Sequence, residues 1–210
     1  MLYIILKRIL DILLAAVLWI LLSPVLFIVA ILIKLTSKGP VFVPDCVRLY
    51  KFRPFFMYKF RTMKLNGQEI LEGNPKLKEV LKNDHKISVN DDPRVTRLGK
   101  FLRLTDLDET PQLLNVIFGQ MSLVGPRPYM LWEIEEIING GSDIDRLNMR
   151  KIQKVKPGMT GLWQISGRNT LPFSQRVEID AMYARNRNFF LDLKILLKTP
   201  KILITGKGRK

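Results

Sequence analysis

The sequence predicts an α+β fold, mostly helical with a small β hairpin or sheet, behind an N-terminal membrane segment. Three patterns predict it. Ile12 to Ile33 carries no charge, and as a straight helix it would span about 33 Å, enough for the hydrocarbon core of a bilayer. From Val95 onward, apolar residues recur at helical spacing in most segments. Val41-Phe42-Val43 and Phe55-Phe56-Met57-Tyr58 are short β-branched and aromatic runs that pair as a hairpin.

By hydropathy alone the N-terminal run is a bitopic helix. It is too long for a signal peptide and no small-residue cleavage site follows it. Two features pull the other way. Pro24 sits at its midpoint, where it removes a donor and clashes with the preceding turn, and the Ser23 hydroxyl can re-satisfy a freed carbonyl. Lys7 and Arg8 on one flank and Lys34 and Lys38 on the other place both ends on the cytoplasmic face by the positive-inside rule. A re-entrant helix, broken at Ser23-Pro24, meets both conditions. On these residues the bitopic and re-entrant readings both stand.

Thr36 to Pro40 closes the membrane segment with a turn cluster. Lys64 to Asp92 is polar and punctuated by Gly67, Gly73, Asn74 and Pro75, a surface excursion with a short helix near 77–82. Residues 95–104 suit a helix with Val95, Leu98, Phe101 and Leu102 on one face. A second helix runs from about Leu107 to Phe118 and stops at Gly119. Glu133 to Ile138 and Asp143 to Gln153 are helical, separated by Asn139-Gly140-Gly141. Pro157-Gly158 and Gly161 open a turn-rich stretch to Asn169. The last forty residues are helical and end in a frayed GKGRK.

The formal charge of +15 and pI near 10.1 imply an acidic partner: nucleic acid, an anionic membrane, or a phosphorylated small molecule. A single cysteine, Cys46, rules out an internal disulfide and fits a reducing compartment. The lone histidine, His85, excludes multi-histidine metal sites. A carboxylate is therefore the expected nucleophile or base.

TDLDETPQLLN, Thr105 to Asn115, concentrates three acids in a basic chain. Asp106 as N-cap with Glu109 three residues on reads as an acidic capping box. Asp108 is not needed for that cap. It lies at the same positive helix end, where backbone N–H groups suit a phosphate. An ionised Asp can attack a bound phosphate, and Glu109 can hold a divalent cation beside it. Pro111 weakens the first full turn. Pro126 and Pro128 stiffen the loop that presents Arg127, whose fork matches phosphate oxygens. Lys59 and Arg61 in YKFRTM, and Arg168 in SGRN, are further phosphate-binding candidates, each balanced against a plain surface charge.

Beyond these residues, KRILDILLAAVLWILLSPVLFIVAILIKLTSKGPVF, YKFRTM, DPRVTRLGKFLR, LDETPQLLNVIFGQMSLVGPRP, KPGMTGLWQISGRN and FFLDLKILLKT occur in order over nearly the whole chain. Together they resemble the bacterial sugar transferases, the small monotopic phosphoglycosyl transferases that begin surface-glycan assembly. The resemblance implies transfer of a sugar phosphate from a UDP-sugar to polyprenol (undecaprenyl) phosphate with release of UMP. It implies Asp108 as nucleophile of a ping-pong reaction, Glu109 engaging Mg²⁺, and Arg103 and Arg127 at the substrate phosphates beside Gly125, Pro126 and Pro128. It further implies that residues 1–36 form a re-entrant helix broken at Ser23-Pro24, and 37–210 a cytosolic catalytic domain on the bacterial inner membrane. Its last helices, across MYARNRNFFLDLKILLK, would be amphipathic and lie on that surface. A homodimer stays open.

Two stretches depart from the family pattern. VPDCVRLYKFRPF has Asp45 and Val47 where a Gln-x-Arg pattern is common, and it lacks the usual glycine-containing turn. That puts substrate contacts from this hairpin in doubt. Asp106 replaces a customary serine, with little consequence expected for a cap.

The rival readings are a membrane-attached nucleic-acid binder and an inactive scaffold of the same fold. No zinc motif, helix-turn-helix or RNP-like run supports nucleic acid as a partner, and no Walker A or dinucleotide fingerprint occurs. The intact Asp108-Glu109 pair argues against the scaffold.

Overall fold

The computed structural model describes residues 2–43, 46–84 and 87–206. Asp45, His85 and the expected fraying of the tail beyond Gly206 lie outside the described residues.

A single helix, α1 (Leu2–Thr36), begins the chain. At about 1.5 Å per residue it is roughly 52 Å long. The expected break at Ser23-Pro24 is absent, because the helix continues through Pro24. The local chemistry explains this continuity. Pro24 has no N–H to give Ile20, four residues back, and the Ser23 hydroxyl donates to that same Ile20 carbonyl at 2.8 Å.

One stripe of α1 is buried, at Asp11, Ala15, Leu26, Val29 and Ile33, and its spacing keeps it on one face. That stripe rests on the rest of the chain along its whole length. Near the start, the Tyr3 hydroxyl and Lys7 Nζ reach Asp192 at 2.9 and 2.8 Å. Arg8 then donates to the carbonyls of Val116 and Ile117. Asp11 accepts from the Ser122 hydroxyl at 2.7 Å and the Leu123 N–H at 3.1 Å. Ala15, Trp19 and Leu22 pack with Leu113, Val116 and Met121, and Leu26, Val29 and Ile33 pack with Phe60 and Leu102. The outward face carries Leu13, Ile20, Leu21, Phe27 and Leu35, all exposed.

The hairpin is shifted from its expected strands. β1 (Val47–Tyr50) pairs antiparallel with β2 (Arg53–Phe56), in register Val47 to Phe56 and Tyr50 to Arg53. The Val41–Val43 run instead meets the segment after the hairpin, with Val43 N–H donating to Lys59 O and Arg61 N–H to Val41 O. A turn at Lys51-Phe52 offers Phe55-Phe56 a nearer partner, and the shorter loop closes at lower entropic cost.

Helices α2 (Gly67–Glu72) and α3 (Pro75–Asp84) form the polar excursion, followed by α4 (Arg97–Thr105). Thr96 caps α4, accepting from Gly99 N–H. Leu98 and Leu102 turn toward α1, while Phe101 is exposed rather than on the packed face. After a 3-10 turn at Leu107–Glu109 come α5 (Gln112–Ile117) and β3 (Ser122–Val124). Then follow α6 (Leu131–Gly140), α7 (Asp143–Ile152), β4 (Gly158–Thr160) and α8 (Leu162–Ser166). The long α9 (Phe173–Asn186) and α10 (Phe189–Thr205) finish the described chain.

β3 and β4 pair in parallel, Ser122 to Gly158 and Val124 to Thr160. The "turn-rich" stretch after Pro157 therefore contains a strand. Gly125 and Gly158 permit it: a Cβ on either would collide with the backbone of the other. A second cluster, Tyr129, Ile134, Met149, Ile152 and Val177, holds α6, α7 and α9 together. α10 buries Asp192 and Ile195 but exposes Phe190, Leu197 and Ile204, an amphipathic outer helix.

Candidate active site

The segment Tyr58 to Thr62 sets the first cation. Buried Asn115 of α5 accepts from Tyr58 N–H and donates to the Phe56 carbonyl. Phe60 N–H donates to the Asp108 carbonyl at 2.9 Å. Held on both sides, Lys59 places Nζ 3.0 Å from Asp108 Oδ2 and 2.8 Å from Glu109 Oε1. The Asp108 side chain is 3% exposed and that of Glu109 is 43% exposed. One acid is sealed in and the other opens outward.

Electrostatics separates the pair. Burial pushes the Asp108 carboxyl above its usual range, with Lys59 opposing the shift. The Lys59 ammonium holds Glu109 down at about 2. Burial works to lower Lys59, but Asp108 and Glu109 override it and hold it above the usual lysine range.

Asp106 does not cap this turn. It adopts a left-handed conformation, φ 58°, and its side chain makes no capping bond. Asp tolerates this region better than most residues. Its carboxylate instead receives Arg168 Nη2 at 2.9 Å and Nη1 at 3.3 Å, and Arg168 is itself left-handed, φ 55°. Pro111 splits the expected Leu107–Phe118 helix. It cannot donate to Leu107 O, so Thr110 does, through its N–H and its hydroxyl.

Arg103 donates from Nε to Thr62 Oγ1 at 2.9 Å. The loop after β3 presents Arg127, whose Nη2 pairs with Glu133 at 3.0 Å and whose N–H donates to Asp180 Oδ2. The Tyr129 hydroxyl donates to the same Asp180 oxygen at 2.8 Å.

Lys59, Asp108, Glu109, Arg103, Arg127, Pro128 and Arg168, all singled out by sequence, line one cavity of about 520 Å³. Arg61 does not. It is buried just beyond the end of α1, donating to the Pro40 and Ser37 carbonyls of the turn that follows the helix, where buried carbonyls need such donors. Gly125 and Pro126 stand behind the cavity as backbone partners of Thr160 and Gly158. Ser23 and Pro24 also lie outside it.

The cavity contains residues that sequence reasoning missed: Arg48, Trp163, Gln164 and Arg176. Arg48 comes from β1, so the divergent hairpin does reach the site. Trp163 and Gln164 lay within the quoted KPGMTGLWQISGRN motif, which was a usable signal. Arg176 and its neighbour Asp180, four residues on in α9, had none. Buried atoms without a protein partner gather here: Trp163 Nε1, Gln164 Oε1, Arg168 Nε and Arg176 Nε. Buried polar atoms of this kind suit a polar ligand.

The donor set also fits a hard cation. Among the described residues no cluster of three or more His, Cys, Asp or Glu could hold a metal. The Asp108-Glu109 pair nevertheless matches Mg²⁺, which takes one or two carboxylates and completes its shell with water and substrate phosphates.

The family described as bacterial sugar transferase matches residues 2–206. The undecaprenyl-phosphate galactose phosphotransferase of Salmonella typhimurium is 43% identical over 162 residues, covering 73% of this chain and 31% of the relative. The UDP-glucose:undecaprenyl-phosphate glucose-1-phosphate transferase of Klebsiella pneumoniae is 40% identical, covering 93% of this chain and 39% of the relative. The exopolysaccharide production protein ExoY of Rhizobium meliloti is 39% identical, covering 96% and 87%. The chain thus spans about a third of the length of the first curated relatives it matches, and most of ExoY.

Proposed function

Because the chain belongs to the bacterial sugar transferase family, we propose that it is a phosphoglycosyl transferase moving a sugar phosphate from a UDP-sugar to undecaprenyl phosphate. The carrying observation is Asp108, sealed at the base of the cavity against Lys59 while Arg48, Arg103, Arg127, Arg168 and Arg176 line the walls. A diphosphate entering that cavity meets guanidinium forks suited to its oxygens. Relatives whose names specify undecaprenyl-phosphate sugar phosphotransfer support the substrate pair.

The reaction runs in two displacements. An Asp108 oxygen attacks the β-phosphorus of the UDP-sugar, the bond from that phosphorus to the bridging oxygen breaks, and UMP leaves with the electron pair. A phosphate oxygen of the polyprenol then attacks the phosphosugar, and Asp108 departs as a free carboxylate. The product is a polyprenol diphosphate sugar. Burial raises the Asp108 carboxylate's basicity, hence its nucleophilicity, and Lys59 opposes that rise and favours the ionised form. Arg127, stiffened by Pro126 and Pro128 and held by Glu133 and Asp180, gathers charge on the transferring group. Glu109, with Asp108, would hold Mg²⁺, which supplies charge neutralisation on the substrate phosphates when bound.

The packing of α1 supports a membrane arrangement. Its contacts run from Tyr3 to Ser37 on one body, so a crossing would carry much of that body into lipid. We place α1 lengthwise along the cytosolic leaflet of the inner membrane, both its ends at the cytosolic face, with residues 37–210 as the catalytic domain. Purified Asp108→Asn should release no UMP from any donor while matching the wild-type melting temperature within a few degrees. Wild-type turnover by that variant would refute the mechanism.

A further inference from the structure

Outside the catalytic cavity, the β1–β2 hairpin turns through Lys51 (φ 54°) and Phe52 (φ 57°). Two successive left-handed residues make the mirror-type turn that suits a hairpin's twist, and such turns favour Asn and Gly. A bulky Phe here is strained, and strain that persists points to a use. The turn is pinned, since Gln153 accepts from the N–H groups of both Lys51 and Phe52. Phe52 gains no burial in return: it is 49% exposed.

Its surroundings are cationic. Tyr50, Lys51, Arg53, Pro54, Phe55 and Gln120 line a second cavity of about 500 Å³. Next to Gln120, a Cβ on Gly119 would lie 3.2 Å from Arg8 Nη2 and 3.6 Å from Lys156 Nζ. Burial and the charges of Arg8 and Lys51 depress Lys156, with Asp11 opposing. Asp11 is already occupied by Ser122 and Leu123. Phe118, 63% exposed, borders the same strip. Arg8 joins the strip to the exposed apolar face of α1 at Ile5, Leu6, Ile9 and Leu10.

We infer that the Lys51-Phe52-Arg53 tip is a second membrane anchor, in which Phe52 enters the bilayer interface and an anionic phospholipid headgroup seats against Lys51 and Arg53. An exposed Phe inserts at the headgroup/acyl boundary, and basic side chains around it bind anionic lipid. Continuity with α1 favours a lipid occupant over a soluble acidic protein. The inference rests on α1 lying in lipid.

The test places a nitroxide label at Phe52→Cys in the full chain carrying Cys46→Ser, reconstituted in nanodiscs with or without phosphatidylglycerol. Labels at Phe27→Cys on α1 and Glu72→Cys on α2 calibrate lipid and water. With phosphatidylglycerol, the label at 52 should collide severalfold more with oxygen than with a water-soluble nickel reagent, as at 27. In purely zwitterionic discs that preference should fall severalfold. A label at 52 that behaves like 72 while 27 stays in lipid overturns the anchor and leaves the tip to a soluble partner. Equal lipid contact in both discs overturns the headgroup seat. A water-like label at 27 defeats the α1 placement and the anchor together. Arg53→Cys serves as the second labelling position if Phe52→Cys does not fold.

Discussion

Asp106 and Arg168 face each other as two left-handed residues joined by a forked ion pair, Nη2 at 2.9 Å and Nη1 at 3.3 Å. The pair ties the turn bearing Asp108 and Glu109 to the loop after α8. Arg168→Lys keeps the charge and loses the fork. It should lower kcat/KM by about 10-fold or more while leaving the melting temperature nearly unchanged, as steady-state UMP release against donor concentration would show.

With Asp108 as the proposed nucleophile, Lys59 should set the acid limb of the pH profile. Burial raises Asp108 and Lys59 restrains the shift, so the ionised, nucleophilic form is lost as pH falls. Lys59→Met removes the restraint and leaves two neighbouring carboxylates in repulsion. Its kcat/KM at neutral pH should fall by about 10³-fold or more, with activity recovering in part toward alkaline pH. An acid limb at the wild-type position in Lys59→Met would contradict the role.

Asp180 couples stability to pH. Burial pushes its carboxyl up to about 7, against the Arg127 N–H and Tyr129 hydroxyl that donate to it. Its folded pKa lies above the unfolded value, so its contribution is full below about pH 4 and is lost as pH rises through about 7. The loss is on the order of 4 kcal/mol for a shift of this size. Asp180→Asn should flatten the decline of stability between pH 4 and 7 in denaturant titrations.

Asp11 anchors α1 to β3. Asp11→Ala leaves the buried Leu123 N–H without its acceptor, while the Ser122 hydroxyl can turn to the Val124 carbonyl at 2.9 Å. A cost of about 1–3 kcal/mol is expected for the one orphaned donor. A lower melting temperature in detergent, with easier proteolysis between α1 and the domain, would register it.

Much of the candidate site was legible because its residues sit in short local motifs. Asp108, Glu109, Arg103, Arg127, Arg168 and Lys59 were all identifiable, and the fold brings them to one cavity. Long-range relations were hidden. Asp106 fits an N-cap pattern, yet the pull of Arg168, distant in sequence, and the missing N–H of Pro111 give it another task. Arg61 shares the YKFRTM motif with Lys59 but serves the turn that follows α1. The parallel β3–β4 pair needs two glycine backbones in contact, which no periodicity reveals. Proline misled in one respect. At both Ser23-Pro24 and Thr110-Pro111 the preceding hydroxyl supplies the donor that proline lacks; α1 continues unbroken, while the second site becomes a 3-10 turn.

The central claim is a covalent bond to Asp108. Purified wild-type protein, incubated with Mg²⁺ and a panel of UDP-sugars in the absence of polyprenol phosphate, should gain the mass of one phosphosugar with its cognate donor. Peptide mapping should place that mass on Asp108, and added polyprenol phosphate should remove it. UMP release that appears only when donor and polyprenol phosphate are both present, with no adduct at any time, would contradict the account and replace it with direct transfer.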